Sequence, residues 1–115
     1  MDTVRWNTVP VETIGDAVQR QIVWGTQGNL TRFSIAKGGH VSAHSHPAEQ
    51  FTCVLTGALK LRIGDREIVL GAGDMLVIPP HAEHEAWAVE DVTLLDFFAP
   101  AREDWRRGEH QYLTG

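Results

Sequence analysis

The stretch ALKLRIGDREIVLGAGDMLVI, residues 58–78, alternates and turns back on itself twice. Leu59, Leu61 and Ile63 alternate with Lys60 and Arg62, the period of two that marks a strand with one buried face. Gly64-Asp65 reads as a hairpin turn, and Glu67 to Leu70 returns. Gly71 to Asp74 is a second turn, and Met75 to Ile78 is an apolar strand stopped by Pro79-Pro80. The same rhythm extends outward to Leu30–Ala36, Phe51–Leu55, His84–Val89 and Val92–Phe98. The pattern predicts about eight short strands, spaced as in a sandwich or barrel. Near the N-terminus, a turn of helix over Asp16–Ile22 and a strand over Val18–Trp24 both stay open. Residues 101–115 are polar apart from Trp105 and Tyr112 and read as a C-terminal tail that begins with a helical turn over Arg102–Arg106.

Composition narrows the class. The chain has 115 residues, 43% hydrophobic and 22% charged, so 1–115 is expected to be one globular domain with a core of its own. A net charge of -5 disfavours a nucleic-acid backbone or an anionic membrane as partner. One cysteine, Cys53, leaves no intrachain disulfide and fits a reducing compartment, with the thiol expected to be a small buried hydrophobe. Met1 to Pro10 carries no apolar run of the signal-peptide kind, and a cytoplasmic location is expected. Four Trp and four Phe are more than one narrow core needs, so some should cover a partner, and a homodimer is expected.

The histidines carry the chemistry. His44 and His46 are two apart in an extended region and so share a face. Gln50 lies four further on, and His84 follows the strand that Pro79 ends. Two imidazoles at i and i+2 with a third from a neighbouring strand can converge on one point, and neutral imidazole suits Zn, Fe, Ni, Cu and Mn.

These residues also carry a resemblance. Gly38, then His44-Ser45-His46, Gln50 and Gly57, resembles the first cupin motif; Gly73, Pro79 and His84 resembles the second. The resemblance implies an all-β fold, a single conical antiparallel β-barrel of the double-stranded β-helix or jelly-roll type, with a metal near its wider end. It implies His44, His46, Gln50 and His84 as ligands of one divalent transition metal: Zn, Fe, Mn or Ni. Three positions depart from the pattern: Gln50 replaces the usual glutamate, His81 stands where glycine is usual, and Ala88 where asparagine is. Glu49 is one position short of the motif spacing and faces the other way in a strand. An amide brings no negative charge, so such a site keeps more of its positive charge, which favours Lewis-acid work over dioxygenase chemistry.

Asp96 is out of place among Val92, Leu94, Leu95, Phe97 and Phe98 unless it faces something polar. Phe98 shares its face, and Arg102 follows Pro100; a structural Asp96–Arg102 ion pair is the competing reading. This ending, and the stretch His44 to Gln50, resemble the KdgF-type cupins that act on unsaturated uronates. The implied reaction is linearisation of a 4,5-unsaturated monouronate to an open-chain keto acid, with a small molecule as partner. Arg102 would hold the substrate carboxylate, Asp96 would move the proton, and Phe98 would shape the wall. The alternatives are an iron-dependent dioxygenase on the same ligands and a non-catalytic sugar-binding cupin. Donor atoms at all four ligand positions argue against a decayed site. His81 could line the barrel mouth or be a plain loop residue, and His40 and His110 are expected at the surface.

Overall fold

The structure is a computed structural model that describes residues 2–114. Ten strands run in the order β1 (Glu12–Ile14), β2 (Val18–Trp24), β3 (Asn29–Ile35), β4 (His40–His44), β5 (Glu49–Thr56), β6 (Ala58–Ile63), β7 (Arg66–Gly71), β8 (Met75–Ile78), β9 (His84–Ala88) and β10 (Val92–Ala99). One helical turn, α1 (Glu103–Arg106), follows, with single 3-10 turns at Trp6–Thr8 and Gln111–Thr114. The strands form two antiparallel sheets, β1-β2-β3-β10-β5-β8 and β4-β9-β6-β7. The two sheets face each other around the core as the all-β jelly-roll barrel expected from sequence, without one continuous hydrogen-bonded ladder around it.

The open choice over Val18–Trp24 resolves as strand, because β2 pairs along its whole length with β3. Two strands escaped the reading of the sequence. β1 is three residues long and acquires its structure only from pairing with β2, and β4 lacks regular alternation because its register shifts between Val41 and His44. Gly57 closes β5 onto β6 at φ 80°, and any Cβ there would strike the Asp91 carbonyl oxygen at 2.0 Å. His81 takes φ 66°, the left-handed backbone that glycine adopts freely.

Register sorts the core into layers. Val92 lies opposite Ile35, and Leu94 lies between Phe33 and Val54. One layer on, Asp96 sits between Thr31 and Thr52, and then Phe98 between Asn29 and Gln50. The interior is therefore apolar at one end and polar at the other, all of it buried. The segment expected to be a tail packs across the polar end, where Trp105 and Leu113 are buried with the core. Buried Arg20 supports it from below: its guanidinium lies 4.8 Å from the Trp105 ring centre and reaches Glu12 and the half-buried His110. No helix among the described residues is long and apolar enough to cross a membrane.

Candidate metal centre

His44 ends β4, His84 begins β9 directly opposite it, and His46 follows in the loop before β5. The three imidazoles offer ring nitrogens within 4.8 Å of one another. Each ring has its tautomer set locally. His44 Nδ1 donates to the Ser42 carbonyl at 2.8 Å, His46 Nδ1 to Ala48 at 2.9 Å, and His84 Nδ1 to Ala82 at 2.9 Å. With the proton on Nδ1, each neutral ring keeps a lone pair on Nε2.

The rings are neutral for physical reasons. Burial, then the neighbouring His84, pushes His44 down to about 3. Burial, with the charge of Arg102, pushes His46 down to about 4, and burial also lowers His84. Gln50 is buried, and its Oε1 lies 3.0 Å from His46 Nε2. Two lone-pair-bearing atoms face each other there with no proton to share. His84 Nε2 is buried with no partner at all. Orphaned acceptors are costly unless a cation sits among them. The donor set therefore fits a metal ion, which His44, His46 and His84 could hold with Gln50 Oε1 beside them.

Beyond Gln50 the polar layer continues. Gln50 Nε2 donates to Thr52 Oγ1 at 3.0 Å, and Thr52 Oγ1 donates to Asp96 Oδ1 at 2.6 Å. Burial raises Asp96 to about 6, against the opposing effects of the Thr52 and Gln50 hydrogen bonds and the Arg102 charge. Phe98 stands edge-on to His46, ring centres 5.5 Å apart, and forms part of the wall.

The ion pair between Asp96 and Arg102 weighed from sequence is not formed. Arg102 grips Asp104 instead, through Nε at 2.9 Å and Nη2 at 2.7 Å, a two-pronged contact with a carboxylate. Its guanidinium also lies over the Phe98 and Trp105 rings and donates to the Tyr112 hydroxyl. The Tyr112 ring stacks on His44 at 4.1 Å and 18°. About 40 Å³ stays free among these side chains, room for water but not for a sugar acid.

Sequence reasoning missed Thr52, Asp104, Tyr112 and Leu113. Alternation from Gln50 places Thr52 on the same inward face, and that signal was available. Nothing local marks Tyr112, which is brought to His44 by the path of the chain after β10. His81 is exposed, and only its backbone serves the site, donating to the His46 carbonyl at 2.8 Å. His40 is half-buried rather than at the surface: it bonds Glu85 at 2.5 Å and stacks on Trp87. Cys53 is half-buried on the outer side of β5 rather than in the core.

The sequence of residues 31–98 matches the cupin domain family. The chain belongs to the cupin family. This cupin is similar over 89% of its length to an RmlC-like cupin from Shewanella frigidimarina, with 29% identity, 93% of that chain covered and a TM-score of 0.84. It is similar to KdgF from a Halomonas species over 91% of its length and 98% of that chain, with 25% identity and a TM-score of 0.85. A predicted oxalate decarboxylase from Thermotoga maritima shares 16% identity over 86% of this chain and 99% of its own at a TM-score of 0.78, a likeness of fold alone. A search of curated proteins finds no match.

Proposed function

We propose that this cupin is a metal-dependent isomerase that opens the ring of an unsaturated uronate or a similar oxygenated acid. One observation carries the reading: three neutral imidazoles with lone pairs on Nε2 lie at the polar end of the core together with a buried carboxyl and a fork-shaped guanidinium. The similarity to KdgF supports it. A divalent metal held by the three histidines and Gln50 would supply Lewis-acid polarisation of a substrate oxygen.

The chain's own groups do the rest. Arg102 already holds a carboxylate, that of Asp104, in the geometry a substrate carboxylate would take. Exchange of one for the other would orient the sugar acid against Phe98. The net reaction moves one proton from a hydroxyl oxygen to a ring carbon as the ring C–O bond breaks. Asp96, raised to about 6, is suited to both taking and giving that proton near neutral pH. Trp105, Tyr112 and Leu113 line the same cavity and would limit the water that reaches the enol. A groove of about 530 Å³ reaches His46 and Arg102 from outside and offers a path of entry.

The test is a screen of unsaturated uronates with Zn-, Mn-, Fe- or Ni-loaded protein, following loss of enol absorbance. Turnover that becomes weaker in KM for Arg102→Lys supports the reading, because an ammonium lacks the fork. Metal-loaded protein that turns over none of them refutes it, and oxygen uptake by the iron form would point to dioxygenase chemistry instead.

A further inference from the structure

We propose that Thr52 is a positioning residue that holds the Gln50 amide with its carbonyl oxygen toward the three imidazoles. The inference rests on the metal-centre reading above. An amide has two ends of nearly equal shape, and only the oxygen can serve a metal. Without a constraint, the wrong end has the stronger local attraction: an amide N–H turned inward could donate to the bare Nε2 of His46, 3.0 Å away. A glutamate in this position would have no wrong end, so the need for a constraint arises from the glutamine itself.

Thr52 supplies the constraint through a proton count. A hydroxyl carries one proton and two lone pairs. Its Oγ1 lies 2.6 Å from Asp96 Oδ1 and 3.0 Å from Gln50 Nε2. In its ionised form the Asp96 carboxylate accepts the single hydroxyl proton of Thr52, and its own hydrogen bond with Gln50 draws the amide nitrogen the same way. What Thr52 then offers Gln50 is a lone pair, which accepts N–H and repels a carbonyl oxygen. Gln50 Nε2 is drawn to Thr52, and Oε1 is left facing the histidines. Thr52 is buried on the same inward face of β5 as Gln50.

The experiment compares Co(II) affinity, by chelator competition, with the visible spectrum of the Co(II)-loaded protein. Thr52→Val keeps the volume and removes the hydroxyl; Thr52→Ser keeps the hydroxyl. Thr52→Val is expected to weaken Co(II) binding about 10- to 100-fold and to alter the ligand-field bands, as loss of an orienting partner does at metal sites. Thr52→Ser should restore both. In a Gln50→Leu background Thr52→Val should change neither, because there is no amide to orient. Should Thr52→Val fail to fold, Thr52→Ala carries the same comparisons. Co(II) binding and spectrum equal to the parent, or an equal loss with and without Gln50, overturns the role of Thr52 alone. Failure of the parent protein to take up Co(II) overturns the metal centre and this inference together.

Discussion

Asp96→Asn separates the energetic cost of the buried carboxyl from everything else in the site. Asp96 is 7% exposed, and burial raises it from 3.8 to about 6. A folded-state value above the unfolded one means that the native protein binds the extra proton between those two pH values. Stability from this group is then fully present below pH 3.8 and lost as pH rises through about 6. A shift of about 2 units corresponds to roughly 3 kcal/mol. Asparagine cannot titrate, so its own contribution is flat. Urea denaturation of metal-free wild type and Asp96→Asn at intervals from pH 4 to 7.5 reads the difference directly. The variant should gain on wild type by up to roughly 3 kcal/mol as pH rises across that window. The histidines titrate in both proteins and cancel. A constant difference across the range would refute the raised carboxyl and, with it, the argument that Asp96 is tuned for proton transfer. On any substrate the protein turns over, the same variant should lose about 10²–10⁴-fold in turnover per bound metal.

Replacing both His44 and His46 by Ala should abolish metal uptake and leave the β-sheet circular dichroism intact, because the apolar layers around Val54 and Leu94 lie apart from them; one retained metal per chain would refute the ligand assignment. Tyr112→Ala should remove the ring stacked on His44 and open the cavity, read as faster entry of a chelator into the metal-loaded site; unchanged chelation kinetics would mean that the turn does not gate access. For the homodimer we propose the outer face of the six-stranded sheet. Val77, Phe51 and Phe97 lie side by side there across β8, β5 and β10, each more than 40% exposed, as an apolar row suited to two-fold pairing. Phe51→Glu with Phe97→Glu should yield monomers in light scattering; wild type that is monomeric at every concentration would refute the pairing.

Much of this protein was legible in its sequence, because the governing interactions are short in sequence. Alternation in Ala58–Ile63 and Val92–Ala99 follows from the geometry of a strand, in which i and i+2 share a face. It placed Gln50 inward and Cys53 outward, and it marked Asp96 as a buried polar residue before any fold was known. The spacing of His44 and His46, with His84 on a neighbouring strand, predicted a convergence that the structure forms. Tertiary structure alone decided what these groups meet. Arg102 is claimed by Asp104 rather than Asp96, because α1 folds the Asp104 carboxylate back within reach while Asp96 is held down by Thr52. The proton positions on the three rings depend on which backbone carbonyls their local turns present. The stacking of Tyr112 on His44 joins the end of the chain to its middle, a contact set by packing across the polar end of the two sheets and by no local pattern of residues.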